Sequence, residues 1–388
     1  CRNGLSSRLK GLGSPVNKFL AIALAFSLML AGCAVPAATQ VEVNVPTQPE
    51  EVATLPPETT ETPVPTEPPT PTPYPAPVGQ IIFIAQANGY NELFGLNASG
   101  GEPYPVTAGL MLEQDAVLSP DGSRVAFTAN DGENMDIFVV NVDGSGLMRL
   151  TDDPARDEQP AWSPDGSWIA FASFRDGNYN VYQVSAWGGE AAPLTDSSDG
   201  DMRPIYSPDG AWVIFTSARD GNYAALYRVP AGGGETQLLP GQDGALAHTN
   251  PVFSPDGYWM ALERRQGENS DIVLLSPETG EQIQVSTSQV DDINPAWSPD
   301  GSRLAFCSYA GGQNWEVLVY NFADGSLVNF SNSPANECAP VWSPDGLHLA
   351  WVSDMDGNAE IYTAAVTGET LVRLTYTDWA NETRLLWH

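Results

Sequence analysis

From residue 79 to the end of the chain, apolar residues come in short runs bounded by Gly, Pro, Asn and Asp, and no run has a helical period. Examples are Ile169-Ala170-Phe171, Val213-Ile214-Phe215 and Leu304-Ala305-Phe306, each the core of a short strand between turns. The runs recur at fixed intervals. Ser-Pro-Asp-Gly occurs six times, starting at Ser119, Ser163, Ser207, Ser254, Ser298 and Ser343, with spacings of 44, 44, 47, 44 and 45. That period is too long for a leucine-rich or ankyrin unit and matches a four-stranded propeller blade. Each unit predicts four strands. The first runs into the turn, as in Pro160-Ala161-Trp162-Ser163. After the second strand comes a turn that is often Asp-Gly-Asn, at 176–178, 220–222 and 356–358. An aromatic third strand (Val181-Tyr182, Leu226-Tyr227, Ile361-Tyr362) follows, and the fourth ends in Leu-Thr, as at Leu150-Thr151, Leu194-Thr195 and Leu374-Thr375. Ser-Pro-Asp-Gly itself suits a type I turn.

The two ends of this region set the number of units. Before the first Ser-Pro-Asp-Gly, Ile81-Ile82-Phe83-Ile84, Glu92-Leu93-Phe94 and Pro105-Val106-Thr107 already supply a second, third and fourth strand. After the last Leu-Thr, residues 382–387 supply a first strand with Trp387 in the Trp register. The expected fold is all-β: a seven-bladed β-propeller of four-stranded antiparallel blades, closed by the C-terminal strand, with six blades as the alternative. Closure removes sheet edges that an open stack would leave unpaired.

Residues 1–78 belong to a different class. Four basic residues and no acid precede Cys33; an apolar run from Phe19 to Leu30 then ends in Ala31-Gly32-Cys33. A charged region, an apolar core and a small-residue cleavage site describe an export signal. Leu30-Ala31-Gly32-Cys33 resembles the bacterial lipoprotein cleavage box, which implies lipid attachment at Cys33. The sequence opens on Cys1 with no Met, leaving open that residues 1–15 lie upstream of the translated start. Between Pro46 and Pro77 there are 12 Pro and 8 Thr, a composition that cannot bury a core and favours an extended tether. The expected organisation is a signal peptide at 1–32, a lipid-attachment Cys and tether at 33–78, and a propeller at 79–388.

Charge narrows the partners. From Cys33 onward there are 12 Arg and no Lys against 48 acids, a net charge of −36. So acidic a surface disfavours nucleic acid and attachment to anionic lipid through basic patches.

The recurring Asp-x-x-Pro-x-Trp-Ser-Pro-Asp-Gly, the Ile-Ala-Phe strand, Asp-Gly-Asn and Leu-Thr together resemble the propeller repeat of TolB-type proteins, over nearly all of residues 79–388. The resemblance implies an extracytoplasmic envelope propeller that binds other envelope proteins. Similar repeats occur in the propellers of prolyl-oligopeptidase-like enzymes and of some metal-dependent lyases. This sequence contains no Gly-x-Ser-x-Gly elbow, and its only histidines are His248, His348 and His388, too few for a His-ligated metal. No cofactor or metal is expected.

One repeat position carries the candidate chemistry. Three residues before the Pro position that opens each first strand stand Glu113, Asp157, Asp201, His248, Asp292, Glu337 and, by register, Glu382. Inner strands line the channel of a propeller, so these residues are expected to ring one mouth. Such a ring would either bind backbone amides in the turns or form a negative funnel for a basic peptide. The Trp of the first strand, in strict register, is read as packing between blades. Trp187, Trp315 and Trp379 lie off that register and are the candidates for a glycan-binding surface. Cys307 and Cys338 fall on the same face of adjacent blades, and a disulfide between them is feasible in an exported protein. The expected function is a monomeric, lipid-anchored, non-catalytic scaffold binding an envelope protein or a basic peptide. A polysaccharide- or peptide-processing enzyme and a glycan-binding module are the alternatives.

Overall fold

The computed structural model describes residues 75–388, apart from residues 88, 220–223, 243–245, 288, 310–312, 369 and 378–382. The leader, Cys33, Glu382, Trp379 and the turn at 220–222 lie outside the described residues. The described chain forms seven four-stranded antiparallel sheets and no helix. Blade 1 comprises β28 (Thr383–Trp387), β1 (Gln80–Ala87), β2 (Tyr90–Asn97) and β3 (Tyr104–Pro105), in that order from the axis outward. Blades 2 to 7 each use four consecutive strands, starting at Met111, Asp157, Asp201, Ala247, Asp292 and Glu337. Seven blades, rather than six, follow from the strand contributed by the far end of the sequence. β28 pairs with β1 through Ile81↔Trp387, Ile82↔Leu386 and Phe83↔Leu385. The Gln80 N–H donates to the His388 carbonyl at 2.8 Å, and the His388 N–H donates back to the Gln80 carbonyl at 3.0 Å.

Local chemistry sets each unit. In every Ser-Pro-Asp-Gly turn the Ser hydroxyl donates to the Asp carboxylate two residues on, at 2.6 Å in Ser163–Asp165, and accepts the N–H that opens the second strand. The Gly takes positive φ, 69° at Gly166, which an L side chain adopts only with strain. The fourth strands are only two or three residues long, and Leu-Thr lies just beyond them. There the Thr hydroxyl stands in for a strand: Thr107, Thr151, Thr195 and Thr375 accept the backbone N–H of Leu93, Ile137, Val181 and Ile361 at 2.9–3.0 Å.

The core lies between blades. Seven separate apolar clusters each join one blade to the next, and the one formed by Ile81, Phe83, Ala350, Ile361 and Trp387 joins blade 7 to blade 1. Second and third strands contribute matched aromatic pairs, with ring centroids 5.8 Å apart in Phe83–Phe94 and Phe127–Phe138. The in-register Trp residues bridge blades as expected of packing. Trp162 Nε1 donates to the Val117 carbonyl at 3.1 Å and Trp342 Nε1 to that of Ala296 at 3.0 Å. Trp387 packs in the cluster that joins blade 7 to blade 1, and its Nε1 donates to the Val78 carbonyl at the entry to its own blade at 2.8 Å.

Candidate functional site

Each first strand is kinked. Its register against the second strand slips in mid-strand, as between Glu158 and Ala161, Met202 and Ile205, and Cys338 and Val341. An extra residue on one strand is a bulge, which re-aims a side chain. The residue at the apex has positive φ in all seven blades: Asp115 (53°), Gln159 (60°), Arg203 (54°), Asn250 (51°), Asn294 (55°), Ala339 (56°) and Arg384 (34°). Such a backbone costs a non-glycine residue on the order of 1–2 kcal/mol, less for Asn and Asp. A Pro follows in five blades and is buried. All seven apex residues line one central cavity of about 540 Å³.

The ring is asymmetric in chemistry although its backbone repeats. Two guanidiniums, one carboxylate, three amides and one methyl face the same space. Arg203 Nη1 donates to Asn250 Oδ1 at 2.6 Å, and the Arg203 backbone N–H donates to Gln159 Oε1 at 2.9 Å. Asn250 Nδ2 and the Asn294 backbone N–H share Glu263 Oε1, each at 2.9 Å. Arg384 Nε donates to the Ala116 carbonyl at 2.9 Å. Neither Arg203 nor Arg384 has an ion pair among the described residues. Burial raises the Asp115 carboxyl, while Arg384 and Arg203 pull it back down and Glu158 pushes it up. Burial lowers Arg384, attraction to Asp115 opposes that, and repulsion from Arg203 adds a smaller lowering.

The residues singled out in the sequence stand two positions earlier, and none of the described ones lines the cavity. Glu113, Asp157, Asp201, His248, Asp292 and Glu337 are all buried, at most 2% exposed. The reason is the bulge, which turns the apex residue toward the axis and leaves its predecessors between blades. Asp157 meets Arg175 at 3.1 Å and Asp201 meets Arg219 at 2.6 Å, both arginines reaching back from the next turn. Arg175 also lies over the Tyr182 ring, 4.3 Å from its centroid. Glu337 accepts from Ser353 at 3.1 Å. Glu113 Oε2 accepts from the Leu93 N–H at 2.7 Å and from the Thr107 hydroxyl at 2.5 Å, tying blade 1 to blade 2. Its Oε1 is buried without a hydrogen-bond partner, and burial pushes the carboxyl up to about 7. The signal for the apex position was present in the sequence: the residue before the repeated Pro varies (Gln159, Arg203, Asn250, Asn294, Ala339) while its frame repeats.

Among the other candidates, Trp187 is 71% exposed, Trp315 is half-buried, and His348 is buried. Cys307 and Cys338 form a disulfide between blades 6 and 7, with Cα atoms 5.2 Å apart. It underlies the ring: the Ala339 N–H points at Cys307 Sγ and the Asn294 amide at Cys338 Sγ. Among the described residues no group of three or more His, Cys, Asp or Glu could hold a metal ion.

A family model for the TolB beta propeller domain matches residues 112–199 and 242–386, more than half of the chain. The chain belongs to the TolB beta-propeller domain family. A comparison with curated protein sequences gives no match. Among solved structures, TolB from Acinetobacter baumannii is similar at 22% identity and a TM-score of 0.52, covering 64% of this chain and 62% of that one. This TolB-family propeller therefore spans about three-fifths of the length of that TolB. Oligogalacturonate lyase from Vibrio parahaemolyticus is similar at 17% identity and a TM-score of 0.61, covering 76% of this chain and 89% of that one. Puromycin hydrolase is similar at 16% identity and a TM-score of 0.53, covering 71% of this chain and 50% of that one. At these identities the likeness concerns the fold.

Proposed function

We propose that this TolB-family propeller is a non-catalytic binding scaffold of the bacterial cell envelope, held to a membrane by lipid on Cys33, whose central cavity engages another envelope protein or a peptide segment. One observation carries the reading. Seven structurally equivalent positions, each on a bulge and lining the central cavity, display five residue types in a frame that is otherwise repeated. A concave site with a few convergent polar groups and buried Pro walls is the form that recognition sites take. Leu30-Ala31-Gly32-Cys33 after an apolar run supports the anchor, and the Pro- and Thr-rich segment supports a spacer between lipid and propeller.

The test is a photo-crosslinking residue placed at Asn294 in the ring or at exposed Val328 on the rim of blade 6, followed by irradiation of intact cells. A discrete crosslinked protein is expected from position 294 and not from 328. No crosslink at 294, or the same products from both positions, would reject the cavity as the docking site. Separately, Cys33→Ser should move the protein from the membrane fraction to the soluble one.

A further inference from the structure

We infer that the central cavity is a carboxylate site, in which Arg203 and Arg384 clasp the terminal carboxylate, or an Asp or Glu side chain, of an extended peptide segment. The inference rests on the binding role proposed above and specifies the chemistry of what enters.

Its first support is where the arginines go. Of the twelve arginines after Cys33, Arg149, Arg156, Arg175, Arg219, Arg228 and Arg373 make ion pairs among the described residues. Arg203 and Arg384 are among the six with none among the described residues, and unlike Arg124, Arg264, Arg265 and Arg303 they line the central cavity, each on a strained backbone. Geometry gives the second support. In ring order Arg384 is followed by Asp115, Gln159 and then Arg203, so the two arginines stand three steps apart on a seven-membered ring and face each other across the channel. Arg384 is anchored by its Nε on the Ala116 carbonyl, and Arg203 is steadied by Asn250. A planar guanidinium fork matches a carboxylate edge and discriminates against a neutral amide. Charge is the third support. The two guanidiniums repel each other, and of the seven apex side chains two are positive and only Asp115 is negative, although the Glu158 and Glu263 carboxylates stand close behind the ring. An anion between them relieves that repulsion. A cavity of about 540 Å³ admits the end of a peptide but not a folded domain.

The experiment is calorimetric titration of the full chain with three probes: N-acetyl-trialanine as the free acid, the same peptide as its C-terminal amide, and N-acetyl-Ala-Glu-Ala amide. Both carboxylate probes should bind saturably, with the neutral amide weaker by about tenfold or more. Arg203→Gln and Arg384→Gln should each weaken the carboxylate probes about tenfold and leave the amide unchanged. Asp115→Asn removes the opposing charge and should tighten the carboxylate probes by roughly threefold. That opposite sign guards against misreading a general loss of structure. Equal binding of acid and amide, indifference to either Arg substitution, or binding of none of the probes would overturn the inference. If crosslinks at position 294 persist in the Arg203→Gln/Arg384→Gln double variant, the scaffold reading stands and the carboxylate clasp alone fails.

Discussion

Glu113 makes the stability of the ring depend on pH in a sense opposite to that of most paired carboxylates. Its carboxyl is fully buried, and two donors reach Oε2 while Oε1 has none. Burial outweighs those hydrogen bonds, so the folded group titrates at about 7 against an ordinary 4.5. The native state therefore holds a proton that the unfolded chain releases, and stability falls as pH rises through that interval. Integrated between pH 5 and pH 8, the loss is about 2.5 kcal/mol from this one group. Glu113→Gln removes the titration but keeps an acceptor for the Leu93 N–H and the Thr107 hydroxyl. It leaves an amide N–H where Oε1 stood, at a cost of about 1–3 kcal/mol at every pH. Guanidinium unfolding of both proteins at pH 5 and pH 8 should show the variant clearly weaker at pH 5. At pH 8 the two should be nearly equal, the gap having shrunk by about 2.5 kcal/mol. A gap that stays constant to within about 0.5 kcal/mol across that range would refute the assignment of the proton to Glu113.

Three further outcomes follow from the same packing. Replacing both Cys307 and Cys338 by Ala opens a link spanning 31 residues and should lower stability by about 3–4 kcal/mol in denaturant titrations without reductant; an unchanged midpoint would contradict it. Ala339→Gly relieves a φ of 56° at the cost of backbone entropy, so a net gain of about 0.5–1 kcal/mol is expected by thermal unfolding, and a loss would show that the bulge is not strained there. Trp387→Ala removes a side chain 7% exposed that also bonds Val78, and should cost about 3–5 kcal/mol, whereas Trp168→Ala at a site 43% exposed should cost far less.

What could be read from the chain, and what could not, divides along the range of the interactions. The blade period was legible because Ser-Pro-Asp-Gly folds on itself: Ser163 and Asp165 need only each other and the next few amides. The inter-blade role of Trp162 was legible because a large apolar side chain at a fixed repeat position has to be buried somewhere. Seven blades followed from Trp387 standing in that same register. The acids at Asp157 and Asp201 were equally visible as a repeat, but periodicity says nothing about which way a side chain points. That depends on a register slip against a neighbouring strand, and on arginines 18 residues away that claim the carboxylates. Displacement of the display position by two residues is the consequence. The cavity's two arginines could not be read as a pair, since Arg203 and Arg384 meet only once the ring is shut.

The closing arrangement of blade 1 also has a mechanical side. The chain enters β1 at Gln80 on the Ser-Pro-Asp-Gly face, next to His388, and β1 runs between β2 and β28 with partners along both edges. Tension applied through the residues that precede Gly79 acts along the axis of β1. Hydrogen bonds in an antiparallel pair lie across the strands, so such a pull loads them in shear, many at once, instead of unzipping them singly. The bulged positions that shape the cavity lie toward the opposite face, at the starts of the first strands. A partner held in the cavity and a pull from the N-terminal side would thus draw on the propeller from opposite faces, with the load entering at the strand best clamped to resist it.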